Sequence, residues 1–206
     1  MQLSRGHLFV IAAPSGAGKT SLVRALIKRM PELRFSISYT TRKQRATEQH
    51  GRDYFFVDPE RFKHMIAAGE FLEYAQVFDN HYGTSRAQVE QHLIQGENVL
   101  LEIDWQGAQQ IRRAMPEHKS IFILPPTRAA LEQRLRSRQT DSEEVIARRL
   151  RDSIADMSHW KEFDYVVVND DFERATDDLC AIVSGRGEHL RSDRSDLQTL
   201  VRTLLG

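Results

Sequence analysis

The segment Ala13-Pro-Ser-Gly-Ala-Gly-Lys-Thr20 carries the residue types that grip a polyphosphate. It follows the pattern G-x-x-x-x-G-K-[ST], with Ala13 in place of the first glycine. Gly16 and Gly18 let the backbone turn its N–H groups toward phosphate oxygens. The ammonium of Lys19 suits β- and γ-phosphates, and the Thr20 hydroxyl is a ligand for Mg²⁺. The competing motif is a dinucleotide fingerprint. It fails because no third glycine follows Gly16-Ala-Gly18 at the required spacing. Ala13, Pro14, Ser15, Gly16, Ala17, Gly18, Lys19 and Thr20 are thus the expected cradle for a nucleotide's phosphates.

A second constellation lies further on: Ser38-Tyr-Thr-Thr-Arg42-Lys-Gln-Arg45, Gly51-Arg-Asp-Tyr54, Glu70-Phe-Leu-Glu73 and Tyr82-Gly-Thr84. Arg42 and Arg45 can turn fork-shaped donors on one phosphate, and the phenols of Tyr54 and Tyr82 can add hydrogen bonds to it. Guanine offers N1–H and N2–H donors on one edge. A carboxylate accepts both, so Glu73 is an apt reader of that base, with Thr84, Ser38 and Asp104 as helpers. Adenine lacks those donors, and an unmet carboxylate would penalise it by about 2 kcal/mol or more. Glu102-Ile103-Asp104 ends an apolar run, which places Glu102 or Asp104 for Mg²⁺, its waters or a substrate. Singly, each residue has an ordinary explanation. Tyr54 could pack with Phe55 and Phe56, and the arginines and Glu73 could be solvated. Their order beside a phosphate loop argues for function.

The elements that must carry these residues alternate as strands and helices, the pattern of a parallel sheet with crossover helices. Strands are expected at 7–12, 98–103, 120–124 and 165–168. The first is continuously apolar, as in a strand buried on both faces. A helix runs from Lys19 to Met30, with Leu22, Leu26 and Met30 sharing one face with Val23 and Ile27, and Pro31 as its stop. Others are marked by Ile111 and Met115, by Leu131 and Leu135, by Leu179 and Val183, and by a terminal stretch from about Ser195 to Leu205. Thr140 and Glu143 have capping-box spacing ahead of a longer helix bearing Val145, Ile146, Leu150, Ile154 and Met157.

Residues 36–86 break this rhythm. They read as short strands (SISYT, DYFFV, FLEYAQV) around one helix, with Asp58 as N-cap, Pro59 at the first position and Gly69 at the stop. They form an inserted lobe. The stretch from Arg128 to Arg151 holds seven arginines, no lysine and four acids, and reads as a second insertion, a lid. Arg134 and Arg138, four apart, share a helix face.

The 206 residues carry 29 basic and 29 acidic side chains, so a general nucleic-acid surface is not expected. One cysteine, Cys180, forms no internal disulfide, and a reducing cytoplasm is the natural compartment. It is expected to be a buried, inert thiol. No apolar run approaches a membrane span. The opening MQLSRGHLFVIAAPSG imitates a signal peptide, but the run is short and cleavage would sever the phosphate loop, so no targeting role is expected.

The chain resembles the bacterial guanylate kinases over nearly its whole length. The resemblance is carried by APSGAGKT, SYTTRKQR, GRDYFFV, EFLEYAQVFDNHYGTS, EIDWQGAQQIR, the arginine-rich lid and VVVNDD. It implies an α/β fold: a P-loop NTPase core with a parallel β-sheet flanked by helices, plus an inserted mixed α/β GMP-binding lobe and a helical lid. In one domain of 1–206, the core would be 1–35, 87–127 and 160–206, the lobe 36–86 and the lid 128–159. It implies transfer of the γ-phosphoryl group of ATP to GMP, and to dGMP, with Mg²⁺ as cofactor, no nucleic-acid or membrane partner, and a homo-oligomer left open. GMP contacts would fall on Ser38, Arg42, Arg45, Tyr54, Glu73, Tyr82, Thr84 and Asp104. Catalysis would fall on Lys19, Arg42, Arg134, Arg138 and Arg149. The resemblance sets Asn169 near adenine, beside the phosphate-loop residues; for the metal, Thr20 and Glu102 are the nominees. The family often has serine where Thr84 stands and proline where Gln44 stands. GMP's phosphate is already anionic, so no histidine is nominated as a base; His7, His50, His81 and His92 read as structural or surface residues. Rival readings are a ribose bisphosphate kinase, a simple ATPase switch, and a non-catalytic phosphopeptide-binding module. Such modules typically lose the phosphate-loop lysine and lid chemistry present here.

Overall fold

The computed structural model describes residues 4–77, 79–137 and 142–206. Along the chain come β1 (Leu8–Ala12), α1 (Lys19–Arg29), β2 (Arg34–Phe35), β3 (Tyr39–Thr40), β4 (Phe55–Phe56), α2 (Pro59–Ala67), β5 (Phe71–Val77) and β6 (Asn80–Ser85). There follow α3 (Arg86–Ile94), β7 (Val99–Glu102), α4 (Trp105–Ala114), β8 (Lys119–Leu124), α5 (Arg128–Arg136), α6 (Glu143–Met157), β9 (Tyr165–Val168), α7 (Phe172–Val183) and α8 (Ser195–Leu205). The larger sheet has the order β2-β7-β1-β8-β9, with β2 parallel to β7 and β8 parallel to β9. The smaller has the order β4-β3-β6-β5. All five residues of β1 are buried, as its unbroken apolar run requires.

By internal contacts the chain divides into two compact units. The first is Met1–Val10 with Glu32–His118, and the second is Ile11–Pro31 with Lys119–Gly206. The lobe expected at 36–86 lies within the first and the lid expected at 128–159 within the second.

In the first unit the smaller sheet has its own apolar centre, Phe62, Met65 and Phe71, with Tyr39, Val57 and Ile66 packed against it. The punctuation of α2 is as its sequence requires. Asp58 accepts a hydrogen bond from Arg61 N at 2.8 Å, Pro59 opens the helix, and Gly69 adopts φ +66° beyond its end. The strand reading was incomplete here. NHYGTS forms β6, antiparallel to both β5 and β3. Its polar composition hides it, and Gly83 fits because Phe71 and Phe62 fill the space of its side chain, 2.9 and 3.1 Å from where a Cβ would stand. The short edge strand β2 and the helix α3 also went unread.

In the second unit α5 is capped by Thr127, which accepts from Ala130 N at 3.0 Å. The expected cap of α6 needs correction. The helix begins at Glu143, and Ser142 caps it by accepting from Val145 N at 3.4 Å. An N-cap stands immediately before the first helical residue, which Ser142 does; Thr140 lies outside the described residues. Cys180 is partly exposed on α7 rather than buried.

Candidate active site

The phosphate loop belongs to the second unit. Gly16 and Gly18 have φ +88° and +93°, the left-handed region that favours glycine. Gly18 precedes α1 directly, and no side chain caps that helix. Its N-terminal dipole is thereby left for an anion. The loop's carbonyls are tied back. Ser153 Oγ donates to Ser15 O at 3.0 Å, and Asn169 Nδ2 donates to Ala17 O at 2.7 Å. Arg134 donates to Ala17 O at 3.3 Å and to Asn169 O at 2.8 Å. The carbonyls of Ser15 and Ala17 are thus satisfied within the protein, and Ala17 N donates to Pro14 O at 3.2 Å. A Cβ on residue 18 would collide with the Asn169 amide, so the glycine serves the brace as well as the turn.

Asn169 is 5% exposed, and the amide the family resemblance sets near adenine is here engaged with the loop. Pro14 and Ala17 are buried, Ala13, Ser15 and Lys19 are half-buried, and Thr20 is exposed. Arg134 and Arg149 are half-buried on α5 and α6, and Arg148 is exposed. Arg138 lies outside the described residues. Ser153 was not foreseen. Its signal was a hydroxyl among Leu150, Ile154 and Met157, on the inward stripe of α6, and it is fully buried.

The residues expected to read the base belong to the first unit. Glu73 on β5 and Thr84 on β6 stand directly opposite in the antiparallel register, where side chains meet. Thr84 Oγ1 donates to Glu73 Oε1 at 2.6 Å, and the residues are 1% and 3% exposed. Asp104 is the N-cap of α4. Its Oδ1 accepts from Gly107 N at 2.8 Å and its Oδ2 from Gln106 at 3.2 Å. Its observed task is therefore structural. Glu102 is half-buried at the end of β7.

The phosphate-type residues of the same unit form a cluster. The Arg42 guanidinium sits 5.4 Å from the centre of the Tyr54 ring and 5.8 Å from that of Phe56. Tyr54 and Tyr82 pack edge to face at 5.9 Å. Arg42 donates to both Glu48 oxygens, at 2.7 and 3.1 Å, and to Lys43 O at 2.8 Å. Glu48 also accepts from Arg45 N at 2.8 Å. Sequence reasoning passed over Glu48, for a lone acid in a polar loop carries no pattern. The Arg42 hydrogen bonds hold the Glu48 carboxyl below its usual range, and Glu48 raises Arg42 in turn. Burial, with Glu102 nearby, pushes the Tyr54 phenol up to about 12. It therefore stays a proton donor across the physiological range. The Arg45 side chain is largely exposed and Ser38 is half-buried. His50 Nδ1 accepts from Phe56 N at 3.2 Å, His92 pairs with Glu97, and His81 lies against Phe62. Those three histidines have structural partners.

A family model described as guanylate kinase matches residues 5–185. A guanylate kinase of Methylococcus capsulatus is 55% identical over 204 residues, 99% of this chain and all of that protein. One from Escherichia coli K12 is 53% identical over 194 residues, 93% of each chain. The crystal structure of guanylate kinase from Anaplasma phagocytophilum superposes with a TM-score of 0.76 at 33% identity, covering 98% of this chain and 97% of the other.

Proposed function

The chain belongs to the guanylate kinase family, and on that premise we propose the following assignment of its ATP:GMP phosphotransfer to particular residues. The observation that carries the acceptor assignment is Glu73, a carboxylate buried to 3% exposure with one oxygen fixed by Thr84. A carboxylate fixed in this way is a pure acceptor, the complement of the two donors that guanine presents on one edge. Arg42, Arg45, Tyr54 and Tyr82 take the phosphate of GMP, with Ser38 beside them. Asp104 supports the pocket as the cap of α4.

The donor, ATP, takes the loop 13–20. Lys19 and the N-terminus of α1 draw the charge of its terminal phosphates, and Arg134 and Arg149 supply cations toward the transferring group. An anionic oxygen of GMP attacks the γ-phosphorus in line as the bond to ADP lengthens. The nucleophile carries no proton to remove, so the reaction calls for no general base. Arg134 has a second task, bracing the loop through Ala17 and Asn169.

The donor set suits Mg²⁺. Thr20, an exposed residue directly after Lys19, would supply a hard hydroxyl oxygen to the metal from the phosphate-loop unit. When bound with ATP, the ion would neutralise phosphate charge. No helix among the described residues is long and apolar enough to cross a membrane. We place the enzyme in the cytoplasm, a reading supported by a cysteine usage without disulfides. The acceptance of dGMP alongside GMP belongs to the same reading, since Glu73 addresses the base and not the sugar.

A coupled ADP-release assay across GMP, dGMP, AMP and ribose 1,5-bisphosphate tests the assignment, with Mg²⁺ and then with a chelator. Turnover is expected with GMP and dGMP and is lost on chelation. Efficient AMP turnover, or strong ATP hydrolysis without an acceptor, would overturn it.

A further inference from the structure

Asp104, Gly107 and Gln110 recur at every third position from the N-cap of α4 and share one face of that helix. Two of them are tied into place. Asp104 accepts from Gly107 N at 2.8 Å. Gln110 accepts from Tyr74 N at 3.2 Å and donates to Tyr74 O at 2.6 Å, which clamps the backbone of the residue after Glu73. Between them is Gly107, which is buried. A Cβ on that residue would lie 2.5 Å from Glu73 Oε2, 3.2 Å from Glu73 Cδ and 3.3 Å from Asp104 Oδ1. The carboxyl oxygen thus occupies the space an ordinary side chain would fill. Helix formation gives no reason for glycine in this first turn, because alanine is the better helix former. Glu73 does give one.

We propose that Gly107 is a positioning residue for specificity: its missing side chain seats Oε2 of Glu73 while Thr84 holds Oε1. This inference rests on the reading of Glu73 as the acceptor of the guanine donors. The two constraints fix the carboxylate's plane and depth. With a methyl group at 107, Oε2 must move while Oε1 stays tethered. The carboxylate then turns, and guanine N1–H and N2–H are no longer met together.

The test is Gly107→Ala in the full chain, with steady-state kinetics and thermal melting. The expected result is a KM for GMP raised about tenfold or more, a KM for ATP within about twofold, and a melting temperature no lower than that of the parent. Adding Glu73→Asp to Gly107→Ala withdraws the acid by one methylene. That double variant is expected to recover kcat/KM for GMP relative to Gly107→Ala alone, although Glu73→Asp by itself loses it. A parental KM for GMP in Gly107→Ala overturns the inference. So do equal losses on GMP and ATP, or a loss that Glu73→Asp does not relieve. If Gly107→Ala fails to fold, the double variant should regain both folding and a GMP-induced rise in melting temperature; continued failure overturns the inference. Glu73→Gln in parallel separates the two layers. No effect of Glu73→Gln on KM for GMP refutes the reading of Glu73 itself. A clear effect there, with Gly107→Ala unchanged from the parent, refutes only the role of Gly107.

Discussion

Replacing Glu73 by glutamine changes one oxygen to an amide nitrogen with almost no change of shape, and the structure dictates which oxygen is kept. Thr84 Oγ1 donates to Oε1 at 2.6 Å, so the amide oxygen must take that place. The NH2 group then takes the place of Oε2, above Gly107. Reversing the amide would force the Thr84 hydroxyl to accept and leave its proton to be placed in a site 1% exposed. One guanine donor consequently meets another donor. The loss is one hydrogen bond to a charged group, about 1.5–3 kcal/mol, plus an unsatisfied donor, about 1–3 kcal/mol. Allowing for partial relief by water, a net loss of about 3–4 kcal/mol corresponds to about 10²–10³ in kcat/KM for GMP. Removing a buried charge should leave the melting temperature unchanged or raise it, and KM for ATP should stay within about twofold. Initial rates at varied GMP and saturating ATP, then the reverse, measure this. A fall below about fivefold in kcat/KM for GMP, in a protein that melts normally, would refute guanine recognition by this carboxylate.

Three further outcomes are expected. Lys19→Ala is expected to lower turnover by about 10²–10³ or more while circular dichroism and melting stay parental, as the role proposed for its ammonium at the phosphates requires. Arg134→Ala raises KM for ATP and lowers unfolding free energy by about 1–3 kcal/mol in urea, because it removes the donor to the Asn169 carbonyl and one of two donors to the Ala17 carbonyl. Glu48→Gln flattens the acid side of the stability profile. Glu48 is held below its ordinary 4.5, so its stabilisation is present above that value and is lost as pH falls through the lower, folded value. Urea midpoints measured from neutral pH into acid should fall more steeply for the parent than for this variant.

The parts of this fold that rest on burial were plain in the amino acids. Tyr165–Val168 and Ser195–Leu205 form the expected strand and helix because a continuous apolar run and a 3.6-residue stripe each have one way to be buried. β6 was hidden because Asn80 to Ser85 is mostly polar and its strand character comes from pairing with β3 and β5. Glu73 was named by chemistry as a reader of the base, with Thr84, Ser38 and Asp104 alike as helpers, but the register that sets Thr84 opposite Glu73 depends on that unread strand. Gly107 and Gln110 left no local signal, for their work is done across space against β5. Glu48 was invisible for the same reason. Asn169 shows another limit. A residue at a strand's end can be placed in the right neighbourhood by its position, while its hydrogen bonds, here to the phosphate loop, are decided by which groups were left to satisfy.

The small apolar centre around Phe62, Met65 and Phe71 has a consequence for how the protein breathes. Few buried side chains secure β3 and β4, which are two residues each, so the amides between Tyr39 and Phe56 are expected to open more cheaply than those of the fully buried β1. In deuterium they should exchange through local opening, well before the amides of β1 or β8. Arg42 and Arg45, proposed to hold the phosphate of GMP, lie on the segment between these strands, and an occupying nucleotide is expected to slow that exchange more there than anywhere in the buried strands.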